Sequence, residues 1–176
     1  MVVPHSVVIA LVNMCKRNAV THALLNSDNI TNIFLIQEPW FDTIGTACKD
    51  LAHQGVDVLG GVASHNWEIL YPNIPAGTQP KVMAYNWQRA LSPHNHTHFT
   101  LVLHLDISSH PCLQVLDVIF DKDCWWLMNF YHNVRNNSSL KALLSLDIDA
   151  VIPTLVIGDF NTHLPTWSPP NNPWSR

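Results

Sequence analysis

Short apolar runs rich in β-branched and aromatic residues recur along this chain, and their spacing constrains the fold more than any other feature. The first run, residues 6–12 (SVVIALV), precedes a segment at residues 16–27 in which apolar residues recur at helical spacing. A second run at residues 33–36 (IFLI) stops before Pro39, and residues 43–53 again have helical spacing. The order strand, helix, strand, helix favours a parallel pairing of buried strands.

The middle of the chain has a different pattern, in which strand candidates follow one another directly. Residues 60–77 are rich in Gly, Asn and Pro and predict a loop. A helix is predicted at residues 138–146 and a last strand at residues 154–157. Strands separated only by turns pair antiparallel, so the whole chain predicts one mixed α/β layered domain. The four successive strand candidates are residues 81–87, 99–107, 113–120 and 125–131.

The composition indicates a domain with a substantial core and a sparsely charged surface. The chain has 176 residues, which fits a single domain. Hydrophobic residues make up 47% of it and charged residues 12%, against a usual charged share of about 25%. The formal net charge of -4 argues against a polybasic protein that binds nucleic acid by neutralising many phosphates. Any contact with nucleic acid would then be local.

The cysteines and apolar segments indicate the compartment. Cys15, Cys48, Cys112 and Cys124 are far apart and form no CxxC pair, which favours reduced thiols in an intracellular protein. The longest apolar run near the N-terminus, residues 7–12, is shorter than the membrane span of about 20 residues and lacks the features of a signal peptide. We therefore expect an intracellular protein without a membrane partner.

Polar side chains stand where the predicted strands end. Because ligands of α/β sheets bind at the carboxyl ends of strands, where loops bring polar groups together, these residues form a candidate site. The alternative is local, since Asp and Asn are ordinary turn formers: Glu38 would cap a loop and Asp159 would make an Asx-turn. The residues that follow strands in this way are Asn13, Glu38, Tyr131, Asn133, Asp159 and Asn161.

This set of side chains suits the chemistry of a phosphodiester. Mg2+ is usually held by one or two carboxylates and keeps several waters, which leaves room for phosphate oxygens, and Glu38 is the candidate ligand. A separate carboxylate can orient or deprotonate the attacking water, a role that fits Asp159. The amides of Asn13 and Asn161 and the phenol of Tyr131 can donate hydrogen bonds to phosphate without adding charge.

Three motifs, IQEPW, NFYHNV and IGDFNTHLPTW, resemble in their order and separation the endonuclease/exonuclease/phosphatase family, and specifically the endonuclease domain of non-LTR (LINE-type) retrotransposons. By this resemblance, residues 1–167 are the N-terminal part of that family's layered α/β sandwich, and residues 168–176 are a Pro/Asn-rich tail. The resemblance implies phosphodiester hydrolysis with Mg2+ or Mn2+, DNA as the partner, and a reverse transcriptase domain in the full-length element. It also makes the nucleus a candidate compartment.

The resemblance implies a role for each matching residue. Glu38 in QEP is similar to the family's metal-binding glutamate, and Tyr131 is similar to its phosphate-side tyrosine. Asp159 and Asn161 in GDFN resemble the catalytic pair, and Asn13 in LVNMCKRN matches the opening motif. The longer form GDFNxHxxxW resembles retroelement enzymes more than phosphatases. The candidates for substrate contacts are Asn133, His163 and Trp167.

The chain departs from the family pattern towards its C-terminal end. Family members continue through further strands to a Ser-Asp-His motif, and no such tripeptide occurs before Arg176. We therefore expect an incomplete copy in which roughly the second half of the two-sheet sandwich is missing and its packing surface is open. A non-catalytic truncated remnant is the alternative function, and a small-molecule phosphatase is less favoured.

Two other groups of residues have simpler interpretations. His94, His96 and His98 alternate as zinc ligands on a strand would, but they lie in a Pro/Asn-rich turn without a nearby cysteine, so no structural metal is expected. Trp125 and Trp126 are adjacent in a predicted strand, so one faces the core and the other faces the missing part.

Overall fold

The chain folds mainly into β-strands. The computed structural model describes residues 7–27, 30–47, 56–88, 99–120, 122–133, 136–146 and 154–161. In these ranges no helix is both long enough and apolar enough to cross a membrane. The elements in chain order are β1 (Ile9–Asn13), α1 (Asn18–Ser27), β2 (Ile33–Gln37), β3 (Asp42–Ala47), β4 (Val56–Gly60), β5 (Trp67–Leu70), β6 (Val82–Trp87), β7 (Phe99–Leu103), β8 (Leu113–Phe120), β9 (Asp123–Tyr131), α2 (Ser138–Leu144) and β10 (Leu155–Asp159).

The described strands form two four-stranded mixed sheets and one two-stranded hairpin. The first sheet has the order β1-β2-β6-β5, the second has the order β10-β9-β8-β7, and β3 pairs with β4. β1 runs parallel to β2 and β10 runs parallel to β9, whereas the other pairs are antiparallel. The registers place Asn13 beside Gln37 and Asp159 beside Tyr131. In each parallel pair, the carboxyl ends of the two strands therefore lie side by side.

The two sheets share a hydrophobic core. One cluster of buried residues takes Leu35 from the first sheet and Leu116 and Leu127 from the second, and Ile9 and Ile157 pack against it. Because successive side chains of a strand point to opposite faces, these residues mark the inner face of each sheet. Burial of side chains of this size contributes roughly 1.5–3 kcal/mol each, so this core holds the sheets together.

Each helix covers an outer face. α1 places Leu25 against Phe34 and Ile36, which alternate along β2 with the inner residues. α2 places Leu140 against the cluster around Phe130 on the outer face of the second sheet. All five residues of β2 are buried, which explains why its sequence is a continuous apolar run rather than an alternating one.

Most of the predicted strands are confirmed. β8 has the predicted bounds, and the strands predicted at residues 33–36, 81–87 and 125–131 correspond to β2, β6 and β9. The parallel pairing near the N-terminus is confirmed by β1 and β2, and the antiparallel succession is confirmed by β7, β8 and β9. β6 does not join that succession, because it pairs with β2 and β5 in the first sheet. Mixed sheets with few helices are therefore the observed architecture.

The helix predicted at residues 43–53 is wrong where the structure describes this segment. Asp42–Ala47 is a strand that pairs antiparallel with β4, and residues 48–53 lie outside the described residues. The β-branched side chains of Thr43 and Ile44 favour an extended backbone, and the hydrogen bonds to a neighbouring strand outweigh the helical spacing of the apolar residues.

The loop predicted at residues 60–77 contains a further strand, β5. Trp67 opens this strand and is only 4% exposed. Its ring packs against the ring of Phe34 with a centroid distance of 4.8 Å and an interplanar angle of 38°, and its indole N–H donates to the carbonyl of Leu25 at 3.0 Å. A single buried tryptophan thus attaches the strand to α1 and to the first sheet, which the loop-like composition around it concealed.

The described residues contribute four strands to each of two sheets, and the expectation that roughly half of the two-sheet sandwich is missing stays a prediction. Part of the edge strand β10 is uncovered, since Leu155 is 47% and Val156 is 37% exposed. Trp126 packs into the outer cluster beside α2, whereas Trp125 is 46% exposed. One tryptophan of the pair therefore belongs to a core, as predicted.

Candidate functional site

Strand alternation brings polar side chains to one edge of the space between the sheets. Ile157 in β10 faces the shared core, so Asp159, at the next position of the same face, also lies on the inner side. Tyr131 in β9 and Asn13 in β1 occupy the equivalent inner positions at the carboxyl ends of their strands. The structure pairs the end of β10 with that of β9, as Asp159 beside Tyr131, and the end of β1 with that of β2, as Asn13 beside Gln37.

Glu38 reaches the same edge because the backbone turns sharply after β2. Its φ of 46° lies in the left-handed region and ends the strand alternation that would have directed the side chain outward. The Glu38 N–H donates to the carbonyl of Lys81 at 2.9 Å, and its carbonyl accepts from the Lys16 N–H at 2.8 Å. The carboxylate oxygen Oε1 accepts a 2.5 Å hydrogen bond from the Tyr131 hydroxyl. This carboxylate therefore contacts the other sheet rather than capping its own loop.

Backbone strain is concentrated around this edge. Each of the non-glycine residues with positive φ in the described ranges lies in the turn after β1, β2 or β10. Such residues cost on the order of 1–3 kcal/mol and persist only where the surrounding structure holds them. Their grouping at one edge indicates a functional site. These residues are Cys15, Lys16, Glu38 and Asn161.

The phenol of Tyr131 is held in its protonated form. Burial raises its pKa above the ordinary value of 10.0, and the hydrogen bond to Glu38 and the negative charges of Glu38 and Asp159 raise it further. A protonated phenol remains a hydrogen-bond donor throughout the neutral pH range. Glu38 accepts the Tyr131 hydrogen bond and Asp159 is the register partner of Tyr131, so the two acids predicted for the site lie on either side of this residue.

Asp159 and Asn161 form a compact turn after β10. Asp159 Oδ1 accepts a 3.1 Å hydrogen bond from the Asn161 backbone N–H, which is the Asx-turn of the local alternative. The Asn161 side chain donates to the carbonyl of His132 at 2.9 Å, and the His132 N–H donates to the carbonyl of Asp159 at 2.8 Å. These bonds tie the turn to the end of β9. The Asx-turn uses one carboxylate oxygen, so it is compatible with a functional role for the other.

Asn13 and Asn133 have less defined positions in the site. The side-chain oxygen of Asn13 accepts a 2.9 Å hydrogen bond from the Cys15 N–H and so supports the strained turn beside Glu38. Asn133 is half-buried and follows β9 closely. Asn13, at the end of β1, and Asn133, shortly after β9, therefore border the site.

Some predicted residues lie outside the described part of the chain. His163 and Trp167 are among them, so their substrate contacts stay predictions. His94, His96 and His98 are also outside the described ranges.

Buried amides directly beneath the site escaped the sequence analysis. Gln37 and Asn129 are each 0% exposed, and Gln37 Nε2 donates to Asn129 Oδ1 at 2.5 Å. Gln37 precedes Glu38 in the chain, so this bond joins the two sheets just below the bond between Glu38 and Tyr131. The signal was present in the sequence, because each amide interrupts an otherwise apolar strand, IFLIQ or DCWWLMNFY.

The oxygen donors at this edge fit a hard divalent cation. Glu38 and Asp159 provide carboxylate oxygens, and Mg2+ is typically held by one or two carboxylates with waters completing its shell. In the described ranges, no group of three or more His, Cys, Asp or Glu residues is placed to hold a metal ion.

These features define a mixed α/β protein with an acidic and amide-rich site at the carboxyl ends of two parallel strand pairs. The sequence matches no protein-family model and no curated protein. In structure, the chain is similar to the endonuclease domain of TRAS1, a telomere-specific non-LTR retrotransposon, with a TM-score of 0.54 and 13% sequence identity. The similarity covers 89% of this chain but 60% of that one. It shows that the two proteins share a fold.

Proposed function

We propose that this chain forms all or part of a metal-dependent DNA endonuclease domain that nicks a phosphodiester bond, with the layered α/β sandwich of the endonuclease/exonuclease/phosphatase type. The observation that carries the proposal is the hydrogen bond from Tyr131 to Glu38 of the other sheet, beside Asp159, which is the register partner of Tyr131. The shared fold with a retrotransposon endonuclease domain and the order of the QEP and GDFN motifs support it.

Water is the nucleophile in this proposal, and Asp159 orients it and accepts its proton. The bond from Asn161 N–H to one oxygen of Asp159 fixes the direction of the other oxygen. Attack on phosphorus breaks the bond to the 3′ oxygen, which takes a proton from solvent, so the nicked strand ends in a 3′ hydroxyl and a 5′ phosphate. That end would serve as a primer for a reverse transcriptase domain of the full-length element, which would act in the nucleus.

Neutral donors hold the phosphate in this proposal, which accounts for the low positive charge of the chain. The amide of Asn13 and the second N–H of the Asn161 amide provide donors at the edge where the phosphate would lie, and the Tyr131 O–H, which here donates to Glu38, would turn to the phosphate when a cation occupies Glu38. Donors that are already in position stabilise the charge that develops on the phosphate. Glu38 would hold Mg2+ or Mn2+, and a bound cation supplies polarisation of the phosphoryl oxygen and stabilisation of the leaving oxygen. Asn133, His163 and Trp167 would contact the DNA.

Nicking of supercoiled plasmid by the whole chain tests the proposal. We expect Mg2+-dependent conversion to open circles, abolished by EDTA, and a rate about 10²–10⁴-fold lower for Asp159→Ala, because that variant loses the general base. Asp123→Ala is the matched control, since Asp123 is an exposed carboxylate at the opposite end of β9. Nicking at equal rates by the wild type and Asp159→Ala would contradict the proposal.

The alternative function is a non-catalytic remnant that keeps part of the fold. This alternative predicts no Mg2+-dependent nicking by the wild-type chain and a broad thermal transition at low temperature. A cooperative transition together with nicking that depends on Asp159 would exclude it. Hydrolysis of a small phosphate ester without plasmid nicking would instead indicate a phosphatase of the same family.

A further inference from the structure

Three amide side chains cross the interior between the two sheets. Gln37 lies in β2 of the first sheet, and Gln114 and Asn129 lie in β8 and β9 of the second. Their exposed fractions are 0%, 1% and 0%. Polar groups at such depth cost desolvation free energy unless they are hydrogen-bonded, so their presence in a core of leucines calls for an explanation.

The amides form one connected network. Gln37 Nε2 donates to Asn129 Oδ1 at 2.5 Å. Asn129 Nδ2 donates to the carbonyl of Met83 at 3.1 Å and to Gln114 Oε1 at 3.4 Å. Gln114 Nε2 donates to the carbonyl of Leu70 at 2.7 Å. The hydrogen bonds that involve Gln37, Met83 and Leu70 each join one sheet to the other, so the network links the sheets at three points.

Backbone carbonyls fix the direction of this network. The carbonyl of Met83 can only accept, so Asn129 must present its NH₂ group there and its oxygen to Gln37. The carbonyl of Leu70 orients Gln114 in the same way. The network therefore has a single arrangement. A hydrogen bond depends on both distance and angle, so this arrangement permits little sliding of one sheet over the other.

The network lies directly beneath the residues of the site. Gln37 is the residue before Glu38, and Asn129 shares the inner face of β9 with Tyr131. The 2.5 Å bond between Glu38 and Tyr131 is thus the next link between the sheets after the bond between Gln37 and Asn129. Gln37 Oε1 has no hydrogen-bond partner among the described residues. This glutamine is therefore buried although one of its two polar groups is unsatisfied.

We infer that Gln37, Asn129 and Gln114 are positioning residues, whose network sets the register between the two sheets and thereby brings Glu38 against Tyr131. The part of the inference that concerns nicking rests on the proposed function. The contact between Glu38 and Tyr131, which the inference explains, does not depend on that function. An apolar core of the same volume would hold the sheets together as firmly. It would not specify where along the sheets they meet, because hydrophobic contact has no preferred direction.

The test uses the double variant Gln37→Met/Asn129→Leu, which replaces both partners by apolar side chains of similar shape. Asn129→Leu alone leaves Gln37 Nε2 and the Met83 carbonyl without their partner, so we expect clear destabilisation. The double variant should recover part of the lost stability, because it removes the unpaired amide of Gln37, whereas the Met83 carbonyl and Gln114 Oε1 still lack the Asn129 donor. Comparison of Asn129→Leu with the double variant thus separates an effect on stability from an effect on the position of Glu38.

The readout of positioning is the contact between the Tyr131 hydroxyl and Glu38 Oε1, followed at neutral pH by the NMR chemical shifts of ring-labelled tyrosine and assigned with Tyr131→Phe. Glu38→Gln removes the carboxylate and provides the reference shifts for a lost contact. We expect the double variant to move towards this reference although it is folded. A double variant that is folded and retains the wild-type shifts would overturn the inference.

Two further variants complete the comparison. Leu116→Ala destabilises the apolar part of the same core and should leave the chemical shifts of the Tyr131 ring unchanged. An equal change in Leu116→Ala at equal loss of stability would show a merely structural role for the amides. Gln37→Met alone removes one bond of the network and gives a test should the double variant not fold. If Tyr131 behaves as expected but no protein of the series nicks DNA, the positioning role stands and the proposed function fails.

Should nicking be observed, a displacement of the order of an ångström can lower a rate by about 10²-fold. We therefore expect the double variant to nick at a rate reduced by about 10- to 100-fold, with the loss in the catalytic rate rather than in substrate affinity. A loss confined to affinity would contradict the positioning role.

Discussion

The space between the two sheets has an apolar end and a polar end, and the same strands contribute to both. Leu35 in β2 and Leu127 in β9 belong to the buried apolar cluster. Further along these strands, on the same inner face, come Gln37 and Asn129, hydrogen-bonded to each other beside the site. Apolar burial stabilises without direction, whereas hydrogen bonds depend on geometry, so the apolar end provides stability and the polar end provides register.

The largest effect on stability is expected at the apolar end. Leu35 is 0% exposed, and Leu35→Ala should lower the free energy of unfolding by about 2–5 kcal/mol, because it removes buried methyl groups and leaves a cavity. Urea denaturation followed by circular dichroism measures this loss. Val102→Ala, at a position that is 42% exposed, is the control and should change stability little. A loss at Leu35 no larger than at Val102 would contradict the division between the two ends.

A smaller effect on stability but a larger one on the site is expected for Gly158→Ala. A Cβ at position 158 would overlap the carbonyl oxygen of Phe130, so β10 would have to move away from β9 and carry Asp159 with it. We expect a loss of about 1–3 kcal/mol, typical of overpacking, and a strong loss of nicking. Gly61→Ala is the control, since its Cβ would meet the flexible end of Met83 at 3.0 Å. Nicking by Gly158→Ala at the wild-type rate would show that the strand spacing near Asp159 is not critical.

The smallest effect concerns the pH dependence of stability. The pKa of Tyr131 is raised in the folded chain, so above the unfolded value of 10.0 the unfolded chain releases a proton that the folded chain retains. The stability that the protonated Tyr131 contributes is therefore fully present below pH 10.0 and is lost as the pH rises further. Tyr131→Phe should therefore flatten the decline in stability at alkaline pH, by at most about 1.4 kcal/mol per pH unit.

Denaturation of the wild type and Tyr131→Phe at several alkaline pH values measures the difference. Some decline should remain in the variant, because burial also raises the pKa of Tyr85, whose hydroxyl donates to the carbonyl of Val62 at 3.0 Å. Burial likewise raises the pKa of Cys112 to about 11. An alkaline decline that is identical in the wild type and Tyr131→Phe would contradict the assignment of Tyr131 to a carboxylate-lined, water-poor edge.

Local patterns predicted those elements whose burial is regular. β8 was predicted with its observed bounds because its apolar run is flanked by turn residues. The apolar spacing at residues 43–53 predicts a helix, but the structure has the strand Asp42–Ala47 there. Its pairing partner, β4, lies further along the chain, so no local pattern indicates the pairing. The sheet to which β6 belongs was also unpredictable, since it depends on β2, far back in the chain. Pairings between distant segments leave no local pattern.

The same distinction applies to the site. Asn13, Glu38, Tyr131 and Asp159 were predicted from their positions after strands, and the structure places each at such an end. Their mutual contacts were not predictable, and neither was the role of Asn129, because a polar residue within an apolar strand has no specific meaning until its partner is known.

By itself, the amino-acid sequence determined that this chain has buried strands and that acids and amides follow them, because alternation and burial are properties of neighbouring residues. Only the tertiary structure decided that Glu38 of one sheet meets Tyr131 of the other. That contact requires a left-handed backbone at Glu38 and a fixed register between the sheets. Both are maintained by packing and hydrogen bonds between segments far apart in the chain, which offset the local strain and the entropy of bringing them together.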